Sequence, residues 1–321
     1  MSPDLTTTLK IKYPLIIAPM FLVTNEAMMI AAAKAGITAA IPALNYRTPE
    51  LMEDGLKIVE RGASDIVYGV NLIVNRSNPY LDRQLEVVNS SNTSYVITSL
   101  GNPKRVIEQC HRQGQLVFCD AVNLEHAKKA QQEGADAIIA VNSGAGGHAG
   151  KIPASILVPM LKEQLSIPVI SAGGVGDSLG VKSVMQMGAY GLSIGSIFIA
   201  CEESAISTQY KDAVVKYGAG DIVMTSKISG TPCTVINTEY VQKIGTKQSA
   251  LFTLLSKNRT LGKYAKMATF YLGGKSVALA ATEATYKTVW CAGPAIEFVD
   301  GIYPIARIVD SLMGLNSLDQ E

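Results

Sequence analysis

Eight short apolar runs recur along the first two hundred or so residues, most of them followed by a stretch of helical periodicity, and this alternation leaves the chain few folds to adopt. The runs cover residues 15–18, 38–41, 66–70, 95–98, 116–119, 137–141, 168–171 and 191–194. Strands that are apolar throughout, rather than alternately apolar and polar, belong to a parallel sheet covered by helices. The helical patterns between them include residues 25–35, 48–60, 103–113, 124–133 and 155–165, several opened by Asn, Thr or Pro. Gly36, Gly114, Gly134 and Gly188 each follow a helical run, as C-terminal caps do. Eight such units predict an α/β fold of the (β/α)₈ TIM barrel type, with an open doubly wound sheet as the alternative.

The rhythm stops after residue 204. Residues 211–230 are mixed in character, 234–243 read as extended and polar, and 249–284 read as helices interrupted by Gly262, Gly273 and Gly274. The expected organisation is therefore a barrel over residues 1–210 and an appended, mainly helical cap region over 211–300. Residues 301–315 regain an amphipathic helical pattern, which makes 301–321 a candidate to return to the barrel. Residues 71–82, with Asn75, Asn78 and Pro79, read as a longer loop after the third strand.

Composition narrows the function. With 48% apolar and 17% charged residues and a formal net charge of +1, the 321-residue chain is not disordered. It also offers no electrostatic footprint for nucleic acid or an acidic membrane. No apolar run approaches the ~20 residues that span a bilayer, and residues 1–20 lack the pattern of a secretory leader. The five cysteines (Cys110, Cys119, Cys201, Cys233, Cys291) form no CxxC pair and no Cys/His cluster, so no metal site is expected. The reading is a cytoplasmic protein with reduced thiols, small-molecule partners and an undetermined oligomeric state.

Ligands of such a barrel meet the loops at the C-terminal ends of the strands. After the sixth strand comes Asn142-Ser143-Gly144-Ala145-Gly146-Gly147-His148-Ala149-Gly150, with four glycines around one imidazole. Glycine lets backbone amides approach a ligand closely, and His148, between glycines, has no packed apolar niche of its own. The seventh strand ends in Ala172-Gly173-Gly174 and the eighth in Gly195-Ser196. Phosphate groups in barrels often sit between the seventh and eighth loops, so the three loops together point to one phosphate-bearing cofactor.

Ala18-Pro19-Met20 leaves the first strand, Pro19 fixing the exit and Met20 offering soft apolar surface to a flat ring. Asn71 has a carboxamide able to donate and accept at a heterocycle's edge. Asp120 and Asp177 follow the fifth and seventh strands, where orienting a ligand and capping a helix are equally open. His111 and His126 read as solvated helix positions, and Cys201 lacks any basic partner in sequence.

Ala18-Pro19-Met20, Gly146-Gly147-His148-Ala149-Gly150, Ala172-Gly173-Gly174 and Gly195-Ser196, in order and at compatible spacing over about residues 13–240, resemble the nitronate monooxygenase family, formerly called 2-nitropropane dioxygenases. The resemblance implies non-covalent FMN at the strand ends, a helical substrate domain and His148 as catalytic residue. It assigns Ala18, Pro19, Met20 and Asn71 to the flavin ring system. Gly146, Gly147, Ala172, Gly173, Gly174, Gly195 and Ser196 fall to the remainder of the cofactor. The activity implied is oxidation of alkyl nitronates or nitroalkanes by O2 to a carbonyl compound and nitrite. The Gly-Gly-His element also occurs in flavin-dependent enoyl reductases and NADH:quinone reductases, so an NAD(P)H-dependent flavin reductase is the alternative. Many relatives carry a lysine near the end of the fifth strand, where this chain has Cys119-Asp120.

Overall fold

The structure is a computed structural model that describes residues 4–63, 65–75, 78–226, 232–246 and 289–315. Eight parallel strands close into a barrel in chain order: β1 Leu15–Ile17, β2 Thr38–Pro42, β3 Gly69–Ile73, β4 Tyr95–Ser99, β5 Leu116–Ala121, β6 Ala137–Val141, β7 Val169–Ala172 and β8 Gly191–Ile194. The ring is completed by β1 against β8, with Ile16 opposite Ser193. The helices of the repeat are α2 Glu26–Lys34, α3 Pro49–Gly62, α4 Leu81–Ser90, α5 Lys104–Arg112, α6 Leu124–Gln132, α7 Ala154–Gln164 and α8 Ser178–Gln186, preceded by a short α1, Leu5–Leu9.

The strands read as continuous apolar runs because both of their faces are buried, and each face has its own core. Ile16, Tyr95, Ile97, Phe118, Ile139 and Ile170 pack inside the barrel. The residues between them, such as Ile17, Val96, Val117 and Ile138, pack against the helices. Inside, the Tyr95 and Phe118 rings stack with centroids 5.1 Å apart. Tyr95 fits because Gly69 has no side chain: a Cβ there would lie 2.2 Å from its ring.

The floor of the barrel is closed by α1, which leaves no periodic signal in only five residues. Leu5 and Leu9 join the interior core, and the Leu5 amide donates to the Tyr190 carbonyl at 2.8 Å. Asp4 caps the helix, accepting from the Thr6 amide at 3.0 Å. This polar-looking start of the chain is thus part of the barrel.

Most strand boundaries fall within one residue of the sequence expectation, and two strands shift further. β3 spans Gly69–Ile73 rather than 66–70, and β5 continues to Ala121. Asn71 and Asp120 therefore lie within strands, not in the loops after them. A polar residue at the mouth of a barrel ends the apolar run before it ends the strand.

Beyond β8 come α9, Thr208–Lys216, the antiparallel pair β9, Ile222–Thr225, and β10, Cys233–Ile236, and then α10, Glu239–Ile244. The stretch expected to be extended over 234–243 is split, since Thr238 accepts from the Val241 amide and starts α10. The helices expected over 249–284 lie outside the described residues. Near the end of the chain α11, Ile305–Met313, packs against α2 and α8 of the barrel. Among the described residues no helix is long and apolar enough to cross a membrane.

Candidate active site

Period-2 alternation fixes what the mouth of the barrel presents, because each residue two positions beyond an interior side chain points into the same space. From Gly69, Ile97, Phe118 and Ile170 this rule brings Asn71, Ser99, Asp120 and Ala172 to the mouth. All four line one cavity of about 1760 Å3. Ala18, Pro19, Met20, Gly146, Gly147, His148, Gly173, Gly174, Gly195 and Ser196 line it too, so every residue singled out from the sequence for a cofactor or catalysis meets there. The volume exceeds the ~300–1,000 Å3 of a single small-ligand pocket and suits a cofactor together with a substrate.

The loops after β6, β7 and β8 are held in close backbone contact. A Cβ on Gly173 would lie 2.3 Å from the Ala145 nitrogen, and one on Gly146 would lie 2.9 Å from both the Gly293 nitrogen and Ser196 Oγ. Gly173 also has φ +99°, in the region that favours glycine. Asn142, buried at the end of β6, joins two of the loops. Its Oδ1 accepts from the Gly144 amide at 2.7 Å, and its Nδ2 donates to the Gly173 carbonyl at 2.9 Å.

These bonds divide the candidate amides into two groups. The Gly174 amide donates to the Gly144 carbonyl at 3.0 Å, and the Gly147 amide to Thr234 at 3.3 Å, so both are engaged within the protein. The amides of Gly146, Gly173, Gly195 and Ser196 have no protein acceptor among the described residues. Their N–H groups lie on the loops after β6, β7 and β8, where unpaired donors favour an anion. The Ser196 hydroxyl accepts from the Gly293 amide at 2.8 Å and ties the later chain to this cradle.

Thr234 and Gly293 gave no signal in the sequence, since each serves through chain segments far away. Thr234 on β10 pairs with Gly147, its amide donating to the Gly147 carbonyl at 2.7 Å and its hydroxyl to the Ala145 carbonyl at 2.8 Å. The glycine-rich loop is thereby clamped to the region after the barrel. Ser99 was missed as well, being an ordinary strand end in the sequence.

Opposite the cradle, Asn71 Nδ2 donates to the Ile97 carbonyl at 3.1 Å and to Ser99 Oγ at 2.8 Å. Both of its N–H groups are thus used within the protein, leaving Oδ1 as an acceptor. The carboxamide does not both donate and accept toward a ligand, as its residue type alone had suggested. Met20 takes both roles weighed for it, packing against the core and lining the cavity. Its Sδ would lie 3.2 Å from a Cβ on Gly195, so the first and eighth loops also touch.

The two aspartates separate. Asp177 caps α8, accepting from the Gly180 amide at 2.7 Å. Asp120 caps nothing, because Asn123 is the N-cap of α6. Its carboxylate instead accepts from Ser99 Oγ at 2.5 Å, and burial pushes its pKa up to about 6, against the lowering effect of that hydrogen bond. His148 exposes surface to the open cavity, yet the surrounding walls disfavour its cation and lower its pKa below the ordinary 6.5. A neutral imidazole at the cavity wall is equipped to accept a proton.

A family model described as nitronate monooxygenase matches residues 2–314. The chain belongs to the nitronate monooxygenase family. A probable nitronate monooxygenase of Staphylococcus saprophyticus is 27% identical over 289 residues, covering 76% of this chain and 81% of that one. Among solved structures, FabK of Thermotoga maritima superposes with a TM-score of 0.84 at 24% identity, covering 98% of this chain and 96% of that one. A nitroalkane oxidase of Streptomyces ansochromogenes superposes with a TM-score of 0.81 at 21% identity, covering 97% and 96%. Membership makes the chain an oxidoreductase, and the structural likenesses show the shared barrel.

The remaining candidates fall away within this family frame. Cys201 is buried, its thiol pushed up to about 12, and so is no nucleophile. His111 faces Asp136 at 2.9 Å on the outer surface. His126 is exposed on α6 but stands at the cavity rim, a position that the helical pattern did not reveal. Among the described residues no group of His, Cys, Asp and Glu could hold a metal ion.

Proposed function

We propose that this protein is an FMN-dependent nitronate monooxygenase, oxidising alkyl nitronates or nitroalkanes with O2 to a carbonyl compound and nitrite. The observation that carries the reading is the convergence, in one cavity, of unpaired amides after β6, β7 and β8 with a histidine held neutral. The donor set fits the cofactor. Gly146, Gly173, Gly195 and Ser196 would hold its phosphate end through backbone N–H groups, while Ala18, Pro19 and Met20 would lie against its ring and Asn71 Oδ1 would accept from the ring edge. Gly147, Ala172 and Gly174 would shape this cradle by their backbones. When bound, the flavin supplies the redox chemistry that no side chain can.

The protein's own part is binding and proton transfer. His148, neutral in the resting site, would take the α-proton of a neutral nitroalkane on its imidazole nitrogen. Once protonated, it would hold the resulting nitronate anion by charge. The barrel over 1–210 would carry the cofactor and the region over 211–300 would wall the substrate. Cytoplasmic residence is part of the same proposal, supported by five cysteines that are all without a disulfide.

The second reading, an NAD(P)H-dependent flavin reductase acting on enoyl thioesters or quinones, is supported by the Gly-Gly-His element at residues 146–148 and by a cavity of about 1760 Å3. An anaerobic assay separates the two. The released chromophore is identified by mass, and the purified protein is then mixed with propyl-2-nitronate or with NADPH. Bleaching by the nitronate, with nitrite formed once air is admitted, is the expected result. Bleaching by NADPH alone overturns it in favour of the reductase, and a protein that stays colourless with added FMN refutes both.

A further inference from the structure

A carboxyl group that forms no ion pair among the described residues stands at the mouth of the barrel, and the hydrogen bonds around it dictate which of its oxygens faces the cavity. The Ile97 carbonyl can only accept, so Asn71 must turn Nδ2 toward it, and that same nitrogen donates to Ser99 Oγ. Ser99 spends its own proton on Asp120 Oδ2 at 2.5 Å. The direction of the chain is thus set, from Asn71 through Ser99 to Asp120. Asp120 Oδ2 is an acceptor, and Oδ1 has no hydrogen-bond partner among the described residues. Oδ1 is not sealed in protein, since it is absent from the fully enclosed unpaired atoms and its residue lines the cavity.

We propose that Asp120 is a second proton-holding residue of the site, beside His148, and that its Oδ1 presents a proton to an acceptor atom of the bound flavin ring. The proposal rests on the flavin reading above. With the Ser99 hydroxyl donating to Oδ2, the proton of the neutral carboxyl resides on Oδ1. Neutral Asp120 is then a donor into the cavity, and ionised Asp120 is an uncompensated negative charge in the same place.

The neighbours leave this switch to Asp120. Burial holds the carboxyl in the range where both forms exist, with a pKa of about 6, and the Ser99 hydrogen bond opposes that rise. On its own strand Cys119 is neutral, its thiol pushed up to about 12. Asn71 on β3, Ser99 on β4 and Val141 on β6 bring no charge. Elsewhere on the cavity wall, His148 and Lys151 are on the β6 loop, Arg47 is on the loop between β2 and α3, and His126 and Lys129 on α6 are at the rim. None of these forms an ion pair with Asp120 among the described residues.

The test measures FMN affinity by fluorescence quenching, from pH 5 to 7.5, in wild type, Asp120→Asn and Ser99→Ala. Asp120→Asn retains an acceptor for Ser99 and offers an uncharged amide to the cavity. Wild-type affinity is expected to weaken about tenfold as the carboxyl ionises, corresponding to loss of one hydrogen bond and gain of a repulsive charge. Asp120→Asn should lose that transition, and Ser99→Ala, lacking the bond that favours the ionised form, should move it to higher pH. His148 and the FMN phosphate also titrate in this range and contribute equally to both proteins, so it is the difference between them that reports Asp120, and a wild-type profile that coincides with that of Asp120→Asn overturns the proposal while leaving the flavin reading intact.

Infrared difference spectra of the flavin-free protein supply an arm that needs no cofactor. A protonated-carboxyl band that titrates near pH 6 and is missing from Asp120→Asn is expected, and its absence from wild type overturns the proposal. Failure of every one of these proteins, wild type included, to take up FMN at any pH refutes the flavin reading and with it the role toward the ring.

Discussion

Three glycines of the cradle differ in what a methyl group would meet, and this difference ranks the consequences of replacing each with alanine. Gly147, Gly173 and Gly174 have φ of +69°, +99° and +75°. A left-handed conformation costs a non-glycine residue about 1–2 kcal/mol, so all three substitutions share that loss. Space then separates them. At Gly147 an added Cβ meets nothing within 4 Å, and at Gly174 its nearest neighbour is Gly144 Cα at an ordinary 3.5 Å. At Gly173 it would fall 2.3 Å from the Ala145 nitrogen and 2.4 Å from the Ala145 Cα, both backbone atoms of the neighbouring loop. Overpacking of this kind adds about 1–3 kcal/mol. The expected losses are therefore about 1–2 kcal/mol for Gly147→Ala and Gly174→Ala, and about 2–5 kcal/mol for Gly173→Ala. Urea denaturation of the flavin-free proteins measures stability, and FMN retained after gel filtration measures the cradle. Gly173→Ala should rank last in both, since it separates the β6 and β7 loops whose amides would form the proposed anion site. Equal stability and equal flavin retention for Gly173→Ala and Gly174→Ala would refute the reasoning from close approach.

Removing the Thr234 hydroxyl, by Thr234→Val, leaves the Ala145 carbonyl without its 2.8 Å donor. A loss of about 1–2 kcal/mol and faster flavin release are expected, read by urea denaturation and stopped-flow fluorescence. His148→Asn should lower turnover of neutral nitroalkanes more than that of nitronates, and equal losses on both would count against the base role. Because burial lowers the His148 pKa, activity on nitroalkanes should hold at neutral pH and fall about tenfold per pH unit in the limiting acid range. A flat profile from about pH 5 to 8 with chemistry rate-limiting excludes proton transfer by His148. For Asp120, the carboxyl is raised from its ordinary 3.8 to about 6, so the folded state binds more protons than the unfolded chain between these values, and stability declines as pH rises through them. Asp120→Asn lacks this decline. It should gain on wild type by up to about 3 kcal/mol above pH 6.5 and by little at pH 4, and a gain independent of pH contradicts the buried, raised carboxyl.

Local sequence determined the elements that repeat and the loops that line the candidate site. Eight apolar runs with helical stretches between them report burial on both faces of each strand, a property written in neighbouring residues, and the barrel follows from it. The glycine-rich loops were legible for the same reason, since a positive φ or a close backbone approach demands glycine locally, as at Gly173 and Gly147. His148 stood out as the one imidazole among them. Tertiary structure decided which polar groups are available. Sequence offered the amides of Gly173 and Gly174 as equals, whereas the fold leaves the first unpaired and bonds the second to Gly144. It offered Asp120 and Asp177 as equals, whereas only Asp177 caps a helix. Asn71 and Asp120 looked like loop residues because a polar side chain at the barrel mouth interrupts the apolar run without ending the strand. Ser99, Thr234 and Gly293 left no mark at all, because what each contributes is a hydrogen bond to a residue on another element of the fold. Such bonds depend on closure of the barrel and the return of the chain to it, which no short window of sequence encodes.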